Sequence, residues 1–261
     1  MNMHELYIIY PLIALLGLVV GSHVHVIIDR LPRMLGLAPL PTNFTKKEYN
    51  IAWPRSHCPH CGTVLKFYDL IPLFSYAQLR GKCRYCKQPI SWTYPVVELL
   101  TAVIFIIIYL HLGLSLAAAA AIFFLCSLLI LAILDYQYHV LPDQITLPIL
   151  WLGLLVNVFD LFVPLEDAVI GAIAGYLSLW TVYWVHNWIT GKTGLGYGDF
   201  KLLALLGAWL GWHALPITVV IASFLGLLYA LILYWRGHLS RTTPLPFGSF
   251  LAIAGGILLL C

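Results

Sequence analysis

Apolar residues run almost unbroken through eight stretches of this chain, at roughly 7–28, 95–111, 115–134, 144–163, 168–188, 200–212, 214–235 and 247–261. A helix needs about 20 such residues to cross the hydrocarbon of a bilayer. The pattern therefore predicts an all-α polytopic membrane protein of about eight transmembrane helices. Breakers mark some of the joins. Pro142 stops helix continuation, and Asp143 reads as the side-chain cap of the next helix. The cluster Thr243-Pro244-Leu245-Pro246-Phe247-Gly248 reads as a turn and the start of the last helix. Only one polar segment of any size interrupts the pattern. This gives a first helix at 1–28, a cytoplasmic segment at 29–94 and a transmembrane domain at 95–261. Gly153, Gly171 and Gly175 offer places for close helix contact.

Composition agrees, with 61% hydrophobic and only 10% charged residues among 261. A soluble domain carries about a quarter charged residues, so that class is excluded. The net charge of +3 gains meaning from its placement. Of 14 Lys and Arg, ten lie between Arg30 and Lys87, followed by Lys192, Lys201, Arg236 and Arg241. The connections at 111–114, 160–167 and 211–216 contain none. Basic residues mark cytoplasmic loops, which puts the first terminus outside and the segment 29–94 inside. No basic residue precedes the first apolar run, and Arg30 and Arg33 follow it, the reverse of a cleaved signal peptide. Topology accounts for the basic residues, so the lipid bilayer is the expected partner and nucleic acid is not.

The segment 29–94 is too small for a large core, and domains of that size commonly need a staple. It carries Cys58-Pro59-His60-Cys61 and Cys83-Arg84-Tyr85-Cys86. Two such knuckles supply four thiolates to one tetrahedral zinc ion. In a reducing cytosol a disulfide framework is the weaker reading. A four-thiolate site leaves no open position for water, so the zinc expected here is structural, held by Cys58, Cys61, Cys83 and Cys86. His57 and His60 are read as bystanders. Cys126 and Cys261 are read as core or lipid-facing residues.

Two acids stand where apolar runs meet the same face. Asp135 ends the third run, and Asp199 lies in Gly196-Tyr197-Gly198-Asp199-Phe200-Lys201. Ionisable groups kept at membrane depth usually face a cavity, a partner or a substrate path. Activating water on a peptide bond without a metal takes two carboxyls, one protonated and one ionised. Gly196 and Gly198 permit positive backbone dihedrals and close approach. Lys201 is either an interfacial residue or a cation beside the pair.

Asp135 seven residues before Pro142, Gly196–Lys201 and Leu245-Pro246-Phe247-Gly248 together resemble the bacterial type IV prepilin peptidases. So do Pro54–Cys61, Ile71–Tyr76, Leu79-Arg80-Gly81 and Pro95–Leu100. The resemblance implies a multi-pass bacterial inner-membrane aspartic peptidase with its active site facing the cytoplasm. It would remove a short basic leader from prepilins or type II secretion pseudopilins, with Asp135 and Asp199 catalytic and Gly196, Gly198 and Lys201 in support. Many members also methylate the new N-terminus with S-adenosyl-L-methionine in the first cytoplasmic segment. For that step the residues of interest are Gly21, Arg30, Asp69 and Glu98. The chain departs from the family pattern at His25 and Leu70, where Asn is usual; neither side chain offers the paired donor and acceptor of an amide. Rival readings are a peptidase without methyl transfer, an ion- or proton-coupled transporter, and a membrane scaffold.

Overall fold

The computed structural model describes residues 3–40, 49–191, 196–238 and 244–260. Lys192, Arg241, Thr243 and Cys261 lie outside them. Each of the eight apolar stretches is helical: α1 (Met3–Leu35), α3 (Thr93–Leu112), α4 (Leu116–Tyr138), α5 (Asp143–Asn157), α6 (Leu165–Thr190), α7 (Tyr197–Leu210), α8 (Leu215–Trp235) and α9 (Phe247–Leu260). The short α2 (Phe74–Gln78) lies in the polar segment.

Among the described residues, five regions are long and apolar enough to cross a membrane: Ile8–Leu35, Thr93–Leu112, Leu116–Tyr138, Leu165–Thr190 and Trp212–Trp235. The helices α5, α7 and α9 have only 15, 14 and 14 residues. At 1.5 Å per residue they reach about 21–23 Å, short of the roughly 30 Å of hydrocarbon. Length and composition thus support five of the eight as spans. The reason is visible in α7, where the residues from Asp199 to Trp209 are buried apart from Lys201. Its apolar character serves protein packing, and hydropathy alone does not separate protein neighbours from lipid.

The chain divides into two compact units, Met1–Ala118 and Ala119–Cys261. In the first, α1 and α3 pack closely because Gly21 has no side chain; a Cβ there would lie 2.7 Å from Glu98 Cα. Small residues permit such approach where dispersion has to replace a hydrophobic driving force. One turn on, His25 Nε2 lies 3.1 Å from Thr93 Oγ1 and its ring stacks on Tyr94. Buried Arg30 ties the polar segment to α1. Its guanidinium donates to the carbonyls of Asn50 at 3.0 Å, Ile51 at 3.1 Å and Pro54 at 2.7 Å.

The second unit is built on α7, with α5, α6 and α9 against it. Gly171 of α6 and Gly207 of α7 meet backbone to backbone, so a side chain at either would force the helices apart. Gly153 leaves room for the ring of Trp209, and Gly175 for the backbone of Leu203. Trp209 is fully buried, stacks on Phe124 and donates from Nε1 to Ile149 O at 2.8 Å. Asn157 Nδ2 donates to Ala208 O at 3.0 Å, while its Oδ1 accepts from Phe162 N–H. At membrane depth an unpaired polar group costs several kcal/mol, and these bonds avoid that cost. Cys126 belongs to this core.

Candidate functional site

Asp135 stands in the last turn of α4, 6% exposed, and Asp199 in the first turn of α7, 8% exposed. Each carboxyl meets backbone at the start of a helix. Asp135 Oδ2 accepts from Ser249 N–H at 2.7 Å in the opening turn of α9, and the Ser249 hydroxyl, with a single proton, lies 2.8 Å from Ala132 O and 3.1 Å from Asp135 Oδ2. Asp199 Oδ2 accepts from Gly196 N–H at 3.3 Å, immediately before α7. Helix N-termini carry unsatisfied N–H groups and the positive end of the dipole, so both positions suit a carboxylate. Asp135 has the stronger hold, with the shorter backbone bond, 2.7 Å against 3.3 Å.

Leu141 joins the two positions. A Cβ on Gly198 would come 2.9 Å from Leu141 Cβ, and one on Gly248 would come 2.8 Å from Leu141 Cδ1 and 3.0 Å from Asp135 Oδ2. The second unit thus brings Asp135, Leu141, Gly198, Asp199, Gly248 and Ser249 together. Gly198 is needed for close approach. Gly196 has an ordinary φ of −84° and open space at its Cβ position, so its contribution is the N–H.

Lys201 is paired away from the aspartates. Its Nζ donates to Asp143 Oδ1 at 2.7 Å and Oδ2 at 2.8 Å. Asp143 is not the cap expected from sequence: Pro142 holds the N-cap position and Asp143 is the first helical residue. Its carboxylate links α5 to α7. Sequence reading missed Ser249 and Leu141. The available signal for Ser249 was its place just after Leu245-Pro246-Phe247-Gly248, where a helix start presents free N–H groups.

In the first unit, Cys58, Cys61, Cys83 and Cys86 converge with all four Sγ atoms within 4.8 Å of one another. Cys58 Sγ and Cys86 Sγ are 3.8 Å apart. A tetrahedral ion with Zn–S bonds of about 2.3 Å sets its sulfurs about 3.8 Å apart, so the cluster fits zinc. The bridges His57–Val64 and Lys82–Pro89 close the two knuckles. Neither His57 nor His60 belongs to the cluster.

Beside the knuckles lies a cavity of about 300 Å³, bordered by α1, α3 and the polar segment. Its walls include Arg30, Asp69 and Glu98 but not Gly21, which is taken up by helix packing. Burial alone would raise the Asp69 carboxyl. Hydrogen bonds from Arg84 Nε at 2.7 Å, Lys66 N–H and the Tyr85 hydroxyl outweigh it and hold the group below the usual carboxylate value. Glu98 Oε2 accepts from Leu73 N–H at 2.8 Å. Asp29, Arg33 and Tyr94, which sequence reading passed over, also line the cavity.

Residues 15–112 match the Bacterial Peptidase A24 N-terminal domain, and residues 122–231 match the Type IV leader peptidase family. The chain is 45% identical to the prepilin leader peptidase/N-methyltransferase of Pseudomonas aeruginosa, across 94% of this chain and 88% of that protein. It is 45% identical to the protein of the same name from Aeromonas hydrophila, across 97% and 91%. The Burkholderia pseudomallei protein of that name is also 45% identical, across 92% and 81%. No solved structure matches the chain.

Proposed function

This chain belongs to the type IV leader peptidase family, and we propose that it removes the basic leader from type IV prepilins or type II secretion pseudopilins and then N-methylates the new N-terminus with S-adenosyl-L-methionine. The reaction takes place at the cytoplasmic face of the bacterial inner membrane. The observation that carries the peptidase reading is the pair of buried carboxyls, each held by an N–H at the start of a different helix around Leu141.

A buried pair of neighbouring carboxyls shares a proton, because both do not ionise readily together. One removes a proton from the attacking water while the other donates to the scissile carbonyl or the leaving amine. The two roles belong to the pair, which titrates as a unit. Gly198 and Gly248 keep side-chain bulk away from the pair. The mature part of the substrate would stay in lipid while its basic leader stays in the cytosol, so the bond to be cut arrives at the interface.

Methyl transfer is placed in the cavity of the first unit. Its volume falls at the lower end of the range of small-molecule pockets, about 300–1,000 Å³. The walls combine carboxylates from Asp29 and Glu98, the Arg33 guanidinium and the rings of Tyr49, Tyr76 and Tyr94. That set suits a ligand bearing a sulfonium, an amino acid carboxylate and an aromatic base. S-adenosyl-L-methionine would supply an electrophilic methyl group; the carboxylates would bind the substrate's terminal ammonium and accept the proton it must lose. Zinc, held by Cys58, Cys61, Cys83 and Cys86, would keep the cavity's knuckle wall folded and take no part in the reaction.

Purified protein given a prepilin and S-adenosyl-L-methionine should yield a product lighter by the leader and heavier by one methyl group, read by intact mass. Failure to cleave any prepilin or pseudopilin offered would overturn the reading. Cleavage without the methyl mass would confine the function to proteolysis.

A further inference from the structure

We propose that the apolar ridge Phe67, Leu70, Ile71 and Phe74 in the first unit docks on the bilayer surface and holds the mouth of the cavity at the interface. These side chains are 80%, 41%, 40% and 60% exposed within eight residues of chain. So much exposed apolar surface in a small module marks an interaction site.

Three observations point to lipid as the occupant. The first is level. Leu73 N–H bonds Glu98 Oε2, which fixes the ridge against the sixth residue of α3, about 8 Å from the helix start at 1.5 Å per residue. With its 20 residues, α3 is close to the length that crosses the hydrocarbon. The start of α3 therefore lies at the edge of the hydrocarbon, and the ridge within about 8 Å of that edge.

The second is continuity. Val96, Leu99 and Leu100 are exposed on α3 around Glu98, and Trp92 is 68% exposed just before the helix. These exposed apolar residues stand within a turn or two of Glu98, the residue that holds the ridge, and aromatic residues such as Trp92, Phe67 and Phe74 are the type that settles at headgroup level.

The third is charge. From Tyr49 to Trp92 the chain has Arg55, Lys66, Arg80, Lys82, Arg84 and Lys87 against a single acid, Asp69. That acid has a side chain only 2% exposed and is paired with Arg84. Among the described residues 49–92 the module is thus net basic, complementary to the anionic lipids of a cytoplasmic leaflet.

Leu70, Pro72 and Ser75 of the same stretch line the cavity. A docked ridge makes one wall of that cavity part of the membrane surface. A terminal amine carried on a membrane-held helix would then reach it without leaving the interface, a consequence that rests on the methyl-transfer reading above.

The test uses the full chain in vesicles of phosphatidylethanolamine and phosphatidylglycerol. Photoreactive benzoylphenylalanine replaces Phe67 or Phe74 in separate variants, with a variant at Leu99 on α3 as the lipid reference. Phospholipid adducts at 67 and 74 are expected, as at 99. Adducts to residues 119–261 of the same chain, or none at either position, would overturn the proposal. The unaltered chain, labelled by a phospholipid with a photoreactive group near its headgroup, should carry label between residues 67 and 74; an unlabelled stretch would overturn it too. Neither readout needs catalysis, so a chain that proved unable to transfer methyl groups would leave the docking result standing.

Discussion

The two units solve the same problem, burying polar chemistry in a small volume, by opposite means. Residues 49–92 have little apolar interior to draw on, and their order rests on four converging thiols, the buried Arg30 and the Asp69–Arg84 pair. In the second unit the polar groups are held by helix ends and helix interiors, as with Asp135 on Ser249, Asp199 on Gly196 and Asn157 on the end of α7. The difference teaches where each unit is fragile. The first fails when its staple is removed, the second when helices are pushed apart.

The largest expected effect follows from removing the staple. Structural zinc contributes on the order of 10 kcal/mol to the folding of a small module. Chelation, or Cys83→Ser, should unfold the knuckles and abolish methyl transfer while leader cleavage persists. Metal content, limited proteolysis and product mass would check this together. If cleavage is lost in step with methyl transfer, the comparison between independent units breaks.

Next comes helix packing. Gly207→Leu sets a side chain against the Gly171 backbone, and overpacking of this kind costs about 1–3 kcal/mol or more. Thermal unfolding in detergent should fall well below wild type, whereas Gly113→Leu, with open space at its Cβ position, should be limited to the strain of its positive φ.

Ser249 sharpens the comparison at the site itself. Ser249→Ala keeps the N–H on Asp135 but loses the hydroxyl, shared between Ala132 O at 2.8 Å and Asp135 Oδ2 at 3.1 Å; a full bond to a charged group is worth about 1.5–3 kcal/mol. A fall in kcat of about 10- to 100-fold is expected, with KM little changed and activity recovered in Ser249→Thr. A change confined to KM would remove Ser249 from the positioning of Asp135. The smallest effect belongs to the half-exposed Lys201–Asp143 pair, where Lys201→Met should cost no more than about 1 kcal/mol in stability.

Much of this was legible in the sequence for reasons that are local. Apolar runs predicted all eight helices, and paired CxxC spacing predicted the thiol cluster, since hydropathy and ligand spacing are written in neighbouring residues. The two aspartates stood out as acids at helix ends. What could not be read was long-range. Ser249 is 114 positions from Asp135 and Lys201 is 58 from Asp143, and no local pattern announces either bond. Hydropathy also does not separate lipid from protein neighbours: α7 is apolar throughout and buries its residues against other helices.

The most direct measurement takes Asp135→Asn and Asp199→Asn through two assays, cleavage of a full prepilin and methylation of a pilin peptide already lacking its leader. Both variants should lose cleavage by at least about a thousandfold, some 4 kcal/mol of transition-state stabilisation, and both should methylate the leaderless peptide as wild type does. Cleavage surviving in either variant would contradict the paired-carboxyl account.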